Sequence, residues 1–288
     1  MNFIDQMKYR YQTFGVVERL IVILVACFFL PFLFRTLLYL FSIPTDQFFT
    51  WFELSVSFED LIYRPWTILS YAFFHGDFRH IFWNLILLYF SGRMMVNLFK
   101  PQLFVNTFFL GVLVGGATFV LSYNFFPVFQ GQSPRLIGCS AGVMAVLIFM
   151  CSYMPYKDIR IFVFNIKLIY IGLLFIALDL IQIPVNNAGG HLAHLGGALI
   201  GFLHQRNIAR GNDFGQWISK FWRSFSTLFT FKSNRVRKVY RSPNPKSKPN
   251  QKNVNQEKID EILDKISQSG YASLTKEEKE LLFRAGNS

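Results

Sequence analysis

Charge is scarce in this sequence: 16% of its 288 residues are Asp, Glu, Lys or Arg, against 52% hydrophobic residues that include 35 Phe. With a mean hydropathy of +0.31, a soluble domain of this length would have too little polar surface to face water. That class is excluded, and a polytopic membrane protein is expected. Acidic residues are the scarcest charge, 17 against 29 Lys and Arg, for a net charge of +12. The excess does not point to nucleic acid, because it gathers after residue 205, where Arg206 to Lys248 holds eleven Lys and Arg against the single Asp213. Such a stretch suits a cytoplasmic tail beside anionic lipid. Cysteine is almost missing. Cys27, Cys139 and Cys151 all lie in apolar runs, which indicates no disulfide framework and leaves them as small packing residues. No short apolar region with a small-residue cleavage site opens the chain. The first apolar run begins near Leu20, after Lys8, Arg10 and Arg19, and reads as a retained span.

What is present is a series of six apolar segments: Leu20 to Phe41, His80 to Phe99, Gln102 to Tyr123, Leu136 to Tyr153, Leu168 to Ile183 and Gly189 to His204. Most approach the ~20 residues that a helix needs to cross the hydrocarbon core, and the last two are short. Lys and Arg crowd the N-terminal arm, the turn with Arg93 and Lys100, the loop with Lys157, Arg160 and Lys167, and the tail, whereas the alternate loops carry Arg64 and Arg135. By the positive-inside rule both termini are cytoplasmic. The pattern predicts a cytoplasmic arm over 1–16, a six-span membrane domain over 17–205 and, within it, an interfacial extracytoplasmic loop over 42–70, rich in aromatics. A basic amphipathic helix is expected over 206–232, with Phe214, Trp217, Ile218, Phe221, Phe225, Leu228 and Phe229 at helical spacing. A Pro/Ser/Lys/Asn-rich linker over 233–254 is expected to be disordered. The end, 255–288, reads as a small cytoplasmic helical hairpin, with Ile259, Ile262, Leu263 and Ile266 in one stripe and Thr275 with Glu278 as a capping box. At ~34 residues it calls for a partner or for self-association.

Polar residues inside the spans cost on the order of 2.5 to 3.5 kcal/mol when charged, so each needs a reason. Four of the five histidines occur in two pairs, His75 with His80 and His191 with His194. Asn84 follows His80 by four residues and shares its helix face. Gly197 and Gly201 follow His194 by three and seven residues, stripping side chains from that face so that another helix can come close. Ser140 interrupts the apolar LIGCSAGVMAVLIFM, flanked by Gly138, Ala141 and Gly142, which keep its helix slim. A serine hydroxyl is a weak nucleophile until a base takes its proton, and an imidazole on a neighbouring helix suits that task. Asp179, near the outer end of the fifth segment, reads as a solvated end residue.

The set H80-x-x-x-N84, G138-x-S140 and A193-H194-x-x-G197-x-x-x-G201, on the second, fourth and sixth segments, resembles the rhomboid family of intramembrane serine proteases over residues 17–205. The resemblance implies an all-α fold, a polytopic membrane protein with a six-transmembrane-helix bundle around a water-filled cavity. It assigns Ser140 as nucleophile and His194 as general base, with His80 and Asn84 stabilising the oxyanion. Gly138, Ala141, Met144, Gly197 and Gly201 would pack the site. Arg64 and Trp66 in YRPWTILSYAFFH match the family's first loop, where scaffolding is expected. Two positions depart from the family pattern. Alanine follows the serine where glycine is usual, and Met144 stands where an aromatic often packs beside the histidine. The resemblance implies a Ser/His dyad, no cofactor and no metal, transmembrane protein substrates, and residence in a bacterial inner membrane.

Two other readings stay open on the sequence. A non-catalytic relative would bind membrane helices without cutting them. A metal enzyme or transporter would use the paired histidines, although H75-G-D-F-R-H80 and H191-L-A-H194 are not the H-E-x-x-H of zinc proteases and no carboxylate accompanies the second pair in sequence.

Overall fold

The computed structural model describes residues 2–44, 49–161, 163–229 and 251–286. The chain divides into two units, Met1–Phe231 and Lys232–Ser288.

The first unit starts with the polar helix α1 (Phe3–Thr13), capped by the Asn2 side chain. In α2 (Val16–Leu40), the buried Val17, Leu20, Leu24, Phe28 and Pro31 form one stripe at helical spacing. The rest of the helix exposes Phe29, Leu30, Leu33 and Leu37, a surface suited to lipid. The following loop is built, where described, from short elements: a 3-10 turn at Phe49–Trp51, β1 (Leu54–Ser55), α3 (Phe58–Tyr63), α4 (Thr67–Ser70) and a 3-10 turn at Tyr71–Phe73. Its long polar side chains satisfy its own backbone. Trp66 Nε1 donates to Trp51 O at 2.8 Å, Arg64 donates to Thr50 O at 3.0 Å and lies over the Trp51 ring, and Ser70 Oγ donates to Phe52 O at 2.9 Å.

Asp77 caps α5 (Phe78–Leu98) by accepting from the His80 N–H. Pro101 occupies the first turn of α6 (Pro101–Phe125), where its missing N–H costs nothing. Next, β2 (Arg135–Leu136) pairs antiparallel with β1, Leu136 opposite Leu54 and Arg135 opposite Ser55. The fourth apolar segment forms α7, which spans Ser140–Tyr153. Residues 136–139, the opening of the fourth apolar segment, are strand and a sharp bend, because Gly138 takes a φ of +119° that no helix contains, and the helix starts at Ser140, as the resemblance implies. A hairpin of β3 (Asp158–Ile161) and β4 (Phe164–Lys167) leads to α8 (Leu168–Gln182), then α9 (Ala188–Ala209) and α10 (Gln216–Phe229). The sixth segment, expected to end at His204, continues to Ala209. His204 is fully buried, with Thr107 Oγ1 3.0 Å from its Nδ1 and Asp213 Oδ1 2.9 Å from its Nε2, so the polar end of α9 is anchored to α6 and to the connection that leads into α10. Residues 206–209, expected in the amphipathic helix, therefore belong to α9.

α7 is buried on every side from Ala141 to Cys151, as a helix apolar all round should be, and packs most closely with α6 and α9. Among the described residues, three helices, α2, α5 and α6, are long and apolar enough to cross a bilayer. α7 and α8 are apolar but only 14 and 15 residues long, and α9 is a 22-residue helix bearing three histidines and Arg206. The chain is an all-α polytopic membrane protein.

The second unit is a helix pair, α11 (Gln251–Ser269) and α12 (Lys276–Gly286). Residues 251–254, expected as linker, are the first turn of α11; residues 230–250, where the rest of the linker expectation falls, lie outside the described residues. The Thr275 N–H donates to Glu278 Oε2 at 2.7 Å and the Glu278 N–H to Thr275 Oγ1 at 3.3 Å, a reciprocal cap. Lys265 Nζ lies 2.9 Å from the Glu278 carboxylate, and this bond holds the Glu278 pKa below its ordinary value. Ile262 is buried while Leu263, expected in the same stripe, is half exposed.

Candidate active site

The site begins with a segment that cannot be helical. Arg135 and Leu136 are held by β1, the Gly138 N–H donates to Tyr71 O at 2.9 Å, and the Cys139 N–H donates to His75 Nε2 at 3.3 Å. Each of these partners comes from the loop before α5, so that loop fixes where α7 starts. Tyr71 is itself tied to α6, its OH donating to Val112 O at 2.7 Å. Ser140 is the first residue of α7. A helix start leaves its first backbone N–H groups without acceptors in the same helix, and the macrodipole is positive there. The serine hydroxyl therefore sits beside ready donors for a negative oxygen.

The packing around it is tight because glycines permit it. A Cβ on Gly197 or Gly201 would run into the backbone oxygen of Ala141 or Ala145, so α9 lies directly against α7. From α6, which itself packs on α9, a Cβ on Gly111 or Gly115 would collide with Ala145 or Ala141. The G111-x-x-x-G115 pair is legible in the sequence as a small-residue motif, yet its place beside the serine is not.

At this approach the half-buried Ser140 and His194 meet, with Oγ 2.7 Å from Nε2. Their contact joins residues 54 positions apart. His80 stands with its ring against Gly138: a Cβ there would lie 2.5 Å from His80 Cε1 and 2.7 Å from Nε2. Asn84, one turn further along α5, is buried, and its Nδ2 has no partner among the described residues. An unpaired buried donor is costly, which makes this amide a candidate donor to a group entering the site. Met144, one turn after Ser140, is buried within α7.

Asp179 departs from expectation. It is 5% exposed and not a solvated end residue. Its Oδ1 lies 2.7 Å from His191 Nδ1 and 2.8 Å from His194 Nδ1. The turn from α8 to α9 explains the meeting. Asp179 stands three residues before α8 ends and His191 three residues after α9 begins, so a short connection brings them to one level. Asn187, at φ +42°, closes that connection and caps α9 by accepting from the Gly190 N–H. A carboxylate thus accompanies the second histidine pair after all, and Asp179, His191 and His194 place ligand-type atoms within 4.8 Å of one another. The two contacts to Asp179 Oδ1, at 2.7 and 2.8 Å, are hydrogen-bond separations.

The model of the rhomboid domain family matches residues 63–210, which hold Ser140, His194, His80, Asn84 and Asp179. A family of unknown function (DUF6576) matches residues 249–285, the helix pair of the second unit. The chain is 29% identical over 162 residues to the RHOMBOID-like protein 12, mitochondrial, of Arabidopsis thaliana, an overlap of 51% of this chain and 48% of that protein. The chain spans about half the length of the curated relative it matches.

Proposed function

Because this chain belongs to the rhomboid family, whose model spans half of it, we propose that it is an intramembrane serine endopeptidase that cleaves single-span membrane proteins near the extracytoplasmic end of their helix. The observation that carries this reading is the 2.7 Å contact between Ser140 Oγ and His194 Nε2 at the start of a buried helix. A helper that merely holds other helices has no use for such a pair.

Ser140 Oγ attacks the scissile carbonyl carbon while its proton passes to His194 Nε2. The carbonyl oxygen becomes an oxyanion, received by the Ser140 backbone N–H, the Asn84 amide and the His80 ring. The C–N bond then breaks, His194 returns the proton to the departing amine, and the acyl group stays on Oγ. Water, deprotonated by His194, attacks the ester carbon, the C–Oγ bond breaks as His194 returns the proton to Ser140 Oγ, and the acid is released.

A substrate helix hides its carbonyls in its own hydrogen bonds and must unwind first, so Gly or Pro near the cleavage point favours cutting. An apolar groove of about 570 Å³ between α5, α7 and α8, bordered by Trp83, Phe90, Met94, Leu147 and Phe175, offers such a helix a path from the lipid. In this reading six helices, α2 and α5 to α9, cross the membrane, and the brevity of α7 leaves room for water above Ser140. Both termini lie on the cytoplasmic face of a bacterial inner membrane, where basic residues concentrate. α10 lies on the lipid surface, and the α11–α12 pair meets a cytoplasmic partner.

The reading is tested with the full chain purified in detergent and a panel of single-span substrates with and without Gly or Pro in the span. Cleavage that survives a chelator and stops with a serine-directed reagent supports it; cleavage that stops with the chelator points to a metal enzyme instead. Asn84→Ala is expected to keep some activity, with kcat lowered by ~10²–10³ as for loss of one oxyanion donor. A kcat equal to wild type in that variant would remove Asn84 from the oxyanion site.

A further inference from the structure

We propose that Asp179 is the positioning residue of this site, holding His194 with its proton on Nδ1 so that Nε2 faces Ser140 as an acceptor. The inference rests on the serine-protease reading for its catalytic consequence, though not for its geometry.

An ionised carboxylate only accepts hydrogen bonds, so the 2.8 Å contact with Asp179 Oδ1 puts a proton on His194 Nδ1. The opposite ring nitrogen is then the free lone pair, 2.7 Å from Ser140 Oγ. Left to itself in water, neutral histidine prefers its proton on Nε2, the wrong place for a base at this serine. Asp179 reverses that preference.

The position of Asp179 makes sense only with these partners. It is buried in the last turn of α8, where the negative end of the macrodipole opposes a carboxylate, and its Oδ2 has no partner among the described residues. Two imidazole N–H groups converging on Oδ1 offset those costs. His191 is the second anchor. Its ring stands edge-on to that of His194, with centroids 5.8 Å apart, so the imidazole is braced from its own helix. This supplies what Met144 does not, since methionine fills space but sets no ring orientation. The triad is therefore Ser140, His194 and Asp179, with the acid drawn from α8 and not from the helices that carry the other two.

The experiment uses the full chain in detergent with ¹⁵N-labelled histidine, the five ring signals being assigned by single His→Gln variants. In wild type, His194 is expected as the Nδ1–H form with a strongly downfield proton, and in Asp179→Asn as the Nε2–H form. An Nε2–H ring in wild type would overturn the proposal, whether or not an Asp179 variant folds. In parallel, Asp179→Asn is expected to lower kcat by on the order of 10²–10⁴ with KM unchanged, as for loss of the third member in a soluble triad. Asp179→Glu, which keeps the carboxylate, should recover part of that loss. If wild type cleaves but Asp179→Asn keeps kcat within about threefold, the positioning role fails and the protease stands. If wild type cleaves nothing while His194 holds its proton on Nδ1, the positioning role stands and the protease reading fails.

Discussion

Replacing Ser140 by alanine is expected to abolish cleavage of every substrate that the wild-type protein cuts, a fall on the order of 10⁶ in kcat. The size follows from chemistry. Alanine has no atom to form the acyl intermediate, and the neighbouring donors of α7, His80 and Asn84 then stabilise an oxyanion that nothing generates. His194→Ala should cost nearly as much, because an unassisted hydroxyl at neutral pH is a poor nucleophile. The double variant should be little worse than either single one, since the two residues act as a unit. The fold should survive, as Ser140 is half-buried and alanine is a good helix residue at that position. Cleavage rates on a single-span substrate, with melting temperatures in the same detergent, decide the matter. A Ser140→Ala protein within about tenfold of wild type would place the nucleophile elsewhere.

The second large effect is expected at Gly138. Its φ of +119° is closed to residues with a Cβ, and the added carbon would lie 2.5 Å from His80 Cε1. Gly138→Ala must therefore bend the segment before Ser140 or drive His80 aside. The backbone strain costs roughly 1–3 kcal/mol, and if His80 is the oxyanion donor proposed above, its displacement lowers kcat by ~10²–10³. Gly131 and Gly211 supply controls. Both have positive φ, +80° and +82°, but nothing lies within 4 Å of an added Cβ. Alanine at either should lower stability while leaving kcat near wild type. If Gly138→Ala behaves like these two, His80 is not held by the approach seen here.

Much of this arrangement is legible in the order of the amino acids. Apolar runs disclose the long helices, and the small residues after His194 disclose the close approach of α9 to α7, because glycine spacing maps directly onto a helix face. Two things are not legible. The strand and bend before Ser140 look like more helix, since Leu136 and Ile137 are apolar; hydrophobicity does not report that β1 claims Leu136 or that Gly138 reverses φ. Asp179 looks like an end residue because its partners lie on another helix. Only the rotation of α8 about its axis decides whether it faces water or the histidines, and apolar residues surround that helix too evenly for its sequence to state a rotation. Counting inward from both ends of the α8–α9 turn puts Asp179 and His191 at one depth, a signal that charge and hydropathy alone do not carry.

In the proposed mechanism Ser140 is a nucleophile made reactive by His194. Treating the purified wild-type chain with a fluorophosphonate and mapping the adduct by mass spectrometry tests it directly. The phosphonyl group is expected on Ser140, absent in Ser140→Ala and slowed to background in His194→Ala, with loss of cleavage in step with labelling. Cleavage that continues while Ser140 stays unmodified, or an adduct on another serine that tracks the loss of activity, would contradict it.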